Sequence, residues 1–437
     1  MFQKRERPKQ YTRNQTKSSP NSQQPIQCDI GFEFEVPNWG VFRRYDPPET
    51  PLTPAEEEAE TYYKIGHTLF ESDFWTAKTD ANEDRTSHLE LETIPFHESV
   101  SGYKKLLEVL PKIQEFLYFV QSAPGTRIGN VKVLPMEMFK RYGQVKSPEA
   151  RIGMPVDKQE PKIFPQASAG IRLDKLHKLF DDLAAPTEQE SAREEYRKQL
   201  GRKFLHSDQE TGNFKEGSPH DARYVVNSVD ITVKQIEEMW GDRFSSSFKG
   251  FLTMVLFYLV EGSFGSRTYA KAFTAFLART DFARMFDILP EDEKEILREE
   301  DCRIWLDIVS ASVPEDMRDL SKPVFEGGIF KEKAPVHHNN LSALSRKDWL
   351  VEMTRGRDLL TKRHFPNRLR AYELESMGAF GDKTDTIFGV PAPVIEFRSG
   401  KKEQGVRDAL AYAASTFRYI FALHRDMDCY YGENPNL

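Results

Sequence analysis

Cysteine is scarce in this 437-residue chain: Cys28, Cys302 and Cys429 are all it has, far apart and in no C-x-x-C spacing. That leaves no ligand set for a zinc knuckle and no even-numbered disulfide framework, and it fits a reducing compartment. Each of the three reads as a packing or incidental residue, not as a nucleophile. Long apolar runs are lacking too. The longest, Phe251 to Val260, lies between Lys249 and Glu261, well short of the ~20 residues a bilayer span needs. No apolar h-region opens the chain, so a classical signal peptide is not expected. No internal repeat is present. Nor is there a basic body. Net charge is −7, yet residues 1–27 hold Lys4, Arg5, Arg7, Lys9, Arg13 and Lys17 against the single acid Glu6, so the rest is more acidic than the whole. A nucleic-acid binder is disfavoured, because phosphate neutralisation calls for cations on the folded part.

What the chain does have is 39% hydrophobic residues, enough for one large core or two ordinary ones. Residues 1–27, rich in Gln, Asn, Ser and Lys, are expected to form a disordered leader or linker, and 28–437 the folded body, with a helical subdomain at about 230–320. Short alternating segments lie in the first 100 residues and near 128–134, 164–172 and 393–398, with long helical patterns between them, which predicts an α+β fold. Val406, Ala409, Leu410, Ala413, Phe417, Ile420 and Phe421 mark one helix by their spacings of three and four. Leu176, Leu179, Phe180 and Leu183 mark another, directly after the strand-like Ala167–Leu173, with Asp174 favouring its start. Residues 185–222 read as a solvent-facing helix and a mobile loop, and Pro323–Asn340 as a second long loop.

The most informative segment is Asp29-Ile-Gly-Phe-Glu-Phe-Glu-Val36. A strand here buries Ile30, Phe32, Phe34 and Val36 on one face and shows Glu33 and Glu35 on the other, ~7 Å apart along the strand. Two carboxylates so held repel, and a hard divalent cation such as Mg²⁺ turns that repulsion into binding; an ordinary half-exposed strand gives the same pattern. Leu89-Glu-Leu-Glu-Thr93 repeats the arrangement with Glu90 and Glu92, and Phe74–Thr79 is its expected hairpin partner, with Asp80 to Thr86 as the turn. Gln166 and Ser168 share a face of Pro165–Ile171, and Glu396 and Arg398 share a face of Pro393–Ser399. If the four strands line one sheet, their polar pairs converge on a pocket suited to a metal-bound triphosphate, with acids for Mg²⁺ and Arg398 for phosphoryl oxygens through its planar fork. Arg267, Arg279 and Arg284 fall in a stretch that reads as helical and serve equally well as solvent charge; Arg355, Arg357 and Arg363 are as open. The adjacent His337 and His338 read as surface residues.

In this order, Gly31-Phe-Glu-Phe-Glu35, Leu89-Glu-Leu-Glu-Thr93, Gln166-Ala-Ser168 and Ile395-Glu-Phe-Arg398 resemble the glutamine synthetase and glutamate–cysteine ligase-like superfamily of carboxylate–amine ligases. Within it they look most like the bacterial actin cross-linking toxin domain. The resemblance implies a curved, mainly antiparallel sheet with a polar concave face and helices on the other face. It implies ATP and Mg²⁺ as cofactors, with Glu33, Glu35, Glu90 and Glu396 holding two or three Mg²⁺ ions and Glu92 a weaker fifth. Gln166 and Ser168 match positions that contact nucleotide or metal, and Arg398 the arginine that grips the transferred phosphoryl. Glutamine synthetases carry histidines where this chain has Gln166 and Ser168, which argues against glutamine synthesis itself. The implied reaction moves the γ-phosphoryl of ATP to a glutamate side chain, and a lysine amine then displaces phosphate to leave an isopeptide bond. Its implied setting is that of a monomeric secreted effector in a host cytoplasm, cross-linking actin monomers. A small-molecule carboxylate–amine ligase, and a non-catalytic nucleotide-binding module, are the alternative readings.

Overall fold

The computed structural model describes residues 28–43, 63, 66–81, 87–156, 160–184, 222–263, 276–322, 345–357, 384–387, 390–398 and 404–427. The chain divides into two compact units. One, the sheet unit, draws its described residues from Asp29–Ala169 and from position 396 onward; the other, the helical unit, draws them from Cys28 and 170–395. Together they make an α+β protein with a strongly curled antiparallel sheet and helices, the fold class that the strand and helix patterns predict.

The sheet unit is built on β1 (Asp29–Phe42), whose apolar and polar residues alternate in burial along its length. On one side β1 pairs antiparallel with β4 (Ser87–Thr93), then come β3 (Trp75–Ala81), β2 (Thr68–Glu71) and the short β8 (Gln144–Val145). On the other side it pairs with β10 (Phe164–Gly170); β13 (Val390–Arg398) starts in the helical unit and ends in the sheet unit. The ends of β1 also take β5 (Phe96–His97) and β9 (Arg151–Pro155), and β7 (Val131–Pro135) and β6 (Thr126–Ile128) continue from β9. Register shifts between Val36 and Gly40, where Pro37 has no N–H to give the ladder.

The apolar face of this sheet carries Phe32, Phe34, Leu89, Leu91, Trp75 and Ala77, all essentially buried. It is covered by α1 (Val100–Ser122), whose Phe116 meets Phe70 and Trp75 at ring-centroid distances of 6.1 and 4.8 Å. Ser99 caps α1, accepting from the Gly102 amide at 3.0 Å, which satisfies one of the orphan donors of the first turn. Gly102 is required there, because a Cβ would lie 1.8 Å from the His97 carbonyl oxygen. At the other end Lys132 Nζ reaches the carbonyls of Gln121 (2.5 Å) and Ala123 (3.1 Å), a cation where the helix dipole is negative. The last helix, α8 (Val406–His424), packs on α1 through Tyr103 and Phe417. Its end is pinned by buried Glu98, which accepts from Arg425 Nη1 at 2.5 Å and pairs with His424 Nδ1 at 2.7 Å.

In the helical unit, α2 (Leu173–Ala184), α3 (Ala222–Trp240) and α4 (Ser246–Ser263) pack together. Phe251–Val260, the longest apolar run, is buried on every side in α4, as an all-round apolar helix must be. Among the described residues no helix is long and apolar enough to cross a membrane. Gly250 lets α4 approach α2 closely, since a Cβ would meet the Leu173 carbonyl oxygen at 1.7 Å. Three more helices, α5 (Phe282–Ile288), α6 (Glu291–Ser312) and α7 (Arg346–Thr354), close the unit around Trp305 and Trp349. Two short strands, β11 (Phe276–Ala278) and β12 (Thr384–Ile387), pair with β13.

The helical reading of 267–284 is corrected over its described part: 276–278 is a strand, Arg279 follows it, and of the described Arg279 and Arg284 only Arg284 lies on a helix, α5. The backbone of β13 decides this, because Val394 accepts from the Arg279 amide at 2.7 Å and donates to Thr280 Oγ1 at 2.7 Å. Residues 1–27, Arg267, His337, His338, Arg363, Cys429, the expected loop at 323–340 and all of the expected 185–222 segment but Ala222, which starts α3, lie outside the described residues.

Candidate functional site

Register determines which side chains meet. Across β10, β1, β4 and β3, one row runs Gln166, Glu33, Glu92, Thr76 and the next runs Phe164, Glu35, Glu90, Lys78. Asp80 and His88 face each other one row further on. Directly opposed residues of antiparallel strands project to the same side, so these side chains share the face turned away from α1. Glu33, Glu35, Glu90 and Glu92 are thus brought together from segments more than fifty positions apart, each of them half-buried.

Asp80 joins them, although the sequence pattern assigned it to a turn. The strand runs on through Ala81, and Asp80 offers a carboxylate oxygen within 4.8 Å of those of Glu35 and Glu90. Alternation carried the signal, since Thr76, Lys78 and Asp80 continue one face opposite Trp75, Ala77 and Thr79; the acidic, turn-like Asn82-Glu-Asp84 masked it. Lys78 is the other residue that sequence reading missed. It faces Glu90 across the pair but forms its ion pair with Glu92.

Buried Gln166 donates from Nε2 to Oε1 of Glu35, which fixes that carboxylate. Ser168 is half-buried opposite Gly31. Glu396 is 1% exposed on β13, and Arg398 is the last residue of that strand. Arg355 is held by Glu352 and Asp301, and Arg357 by Glu352. A cavity of about 560 Å³ in the helical unit is lined by Glu238, Asp307 and Arg318, and none of the predicted site residues borders it.

The electrostatics of the acid face are unusual for a surface. Burial first, then the charges of Glu33, Asp80 and Glu35, push Glu90 up from the ordinary 4.5 to about 8, with Lys78 opposing. Glu90 therefore keeps a proton at neutral pH. Three carboxylates within one ion's reach form a hard oxygen donor set, which fits Mg²⁺, Mn²⁺ or Ca²⁺ and not a thiophilic metal. No family model, no curated protein and no solved structure matches the chain.

Proposed function

We propose that this chain is an ATP- and Mg²⁺-dependent carboxylate–amine ligase that joins glutamate and lysine side chains of a protein substrate. Actin is the substrate suggested by the resemblance of its strand motifs, and a host cytoplasm the place. One observation carries the reading: Glu33, Glu35, Asp80 and Glu90 gather on a single sheet face. Carboxylates held this close repel, and a divalent cation turns that repulsion into binding.

Glu35, Asp80 and Glu90 are the residues to hold the ion, and the hydrogen bond from Gln166 keeps Glu35 aimed at it. Glu33 adds negative charge from the neighbouring row. From the resemblance, Glu396 is a further ligand, Ser168 a nucleotide contact and Arg398 the guanidinium whose fork grips phosphoryl oxygens. When bound, Mg²⁺–ATP supplies the phosphoryl group that makes a carboxylate electrophilic enough for an amine to attack. The chain's own part is to fix these charges before the reaction on a rigid sheet, partly out of water, where they act most strongly.

The test mixes the protein with monomeric actin, ATP and Mg²⁺ and reads a denaturing gel. A covalent ladder is expected. A folded protein that gives none removes actin, and ADP release driven by a free amino acid or amine, with no gain in protein mass, shifts the reading to a small-molecule ligase. Absence of any nucleotide turnover removes the ligase.

A further inference from the structure

The cavity of about 560 Å³ in the helical unit shares no residue with the acid face, and it is lined by charges of both signs. Two helices wall it. Gln235, Glu238 and Met239 come from α3, and Asp307, Ser310 and Ala311 from α6; each set follows the spacing of three and four that places residues on one helix face. The helices are tied by a buried contact of Ser312 Oγ with Thr232 Oγ1 at 2.9 Å. Arg318 completes the lining. Its neighbours in the chain are held by buried Arg346, whose Nη1 donates to the carbonyls of Met317 and Asp319 at 3.0 and 3.4 Å. The walls are therefore fixed by contacts that need no ligand, which lowers the cost of binding one.

The charges on these walls do not satisfy one another. Asp307 meets Arg303 of its own helix only at 3.8 Å. Glu238 and Arg318 form no ion pair among the described residues, although both line the same space. Opposite charges that face one cavity without meeting suit a molecule that carries both, its carboxylate against the planar guanidinium and its ammonium against a carboxylate. Two carboxylates against one guanidinium favour a ligand with one positive group more than it has negative ones. Met239, 40% exposed, and Ala311 offer apolar surface to a short methylene chain between those groups. The volume lies within the ~300–1,000 Å³ of small-molecule sites.

We propose that this cavity binds a free basic amino acid of the lysine or ornithine kind. Arg318 takes the α-carboxylate, Glu238 and Asp307 take the two ammonium groups, and the Gln235 amide and Ser310 hydroxyl add neutral hydrogen-bond partners. It is a binding site with no reaction of its own, and it stands or falls independently of the ligase reading.

The experiment titrates the full-length chain calorimetrically at low salt, without ATP or metal, using L-lysine, L-norleucine, 1,5-diaminopentane and Nα-acetyl-L-lysine. Lysine should bind at least about tenfold more tightly than each of the other three, which lack the side-chain ammonium, the carboxylate and the α-ammonium respectively. Arg318→Met should weaken lysine by about tenfold or more and leave 1,5-diaminopentane unchanged. Glu238→Gln with Asp307→Asn should abolish the preference for lysine over norleucine. No heat with lysine at about 10 mM, or lysine binding that neither Arg318→Met nor the double variant alters, overturns the proposal. Equal binding of Nα-acetyl-L-lysine also overturns it, assigning the site to the C-terminal lysine of a peptide. Should Arg318→Met not fold, the double variant decides on the same criterion.

Discussion

In the helical unit, His177 sets its ring nitrogens on Asp230 (3.1 Å) and Thr253 (2.9 Å), and Lys249 closes on the same aspartate at 2.5 Å. Burial first, then Lys249, holds His177 below its ordinary value. In the sheet unit the opposite arrangement stands: Glu33, Glu35, Asp80 and Glu90 lie together, and among the described residues a cation beside them, Lys78, pairs with Glu92. Folding alone accounts for the first cluster, since opposite charges and complementary donors stabilise three packed helices. The second sets like charges side by side. Like charges at low dielectric cost stability, and a divalent ion joining them would offset that cost.

The sharpest way to break this contrast is to remove acids and follow the reaction. Glu33→Ala and Glu396→Ala should each lower the ligase rate by about 100-fold, measured as ADP release and as product on a denaturing gel; activity surviving both contradicts the role of the acids. Asp80→Asn should weaken Mn²⁺ binding by about tenfold or more while raising the melting temperature of the metal-free protein, because it removes repulsion. His177→Ala should do the reverse in the helical unit, lowering stability by about 1–2 kcal/mol in denaturant titration and leaving Mn²⁺ binding unchanged. If both substitutions destabilised the metal-free protein, the two clusters would be alike and the contrast would fail.

A gentler test uses pH. Glu90, raised to about 8 against an ordinary 4.5, favours the folded state while protonated. That stability is present in full below about 4.5 and is lost as pH rises through about 8. Glu90→Gln should flatten this slope. Mn²⁺ affinity should run the other way, rising toward pH 8 and levelling above it, because the ion displaces the proton.

Much of this was legible from residues alone. The period-two alternation of Ile30 to Val36 and of Leu89 to Thr93 sets which side each carboxylate takes, and the structure keeps both faces as read. The helices at Leu173–Ala184 and Val406–His424 follow from their apolar spacing, and α2 starts beside Asp174. Other features depend on partners distant in sequence. The ion pair of Lys78 with Glu92 runs diagonally between strands, and no local pattern fixes such a choice. Strand β11 is three residues long, in a stretch rich in Ala, Phe and Arg that propensity assigns to helix; only the hydrogen bonds offered by β13 make it extended. Asp80 was lost to turn chemistry two residues further on.

The most direct measurement is a structure of the full chain with Mn²⁺ and a non-hydrolysable ATP analogue, with the metal located by its anomalous scattering. The account predicts an anomalous peak within coordination distance of the carboxylates of Glu35, Asp80 and Glu90, with the analogue's phosphates on the same ion. Manganese and nucleotide bound elsewhere, with those three carboxylates touching neither, would contradict it.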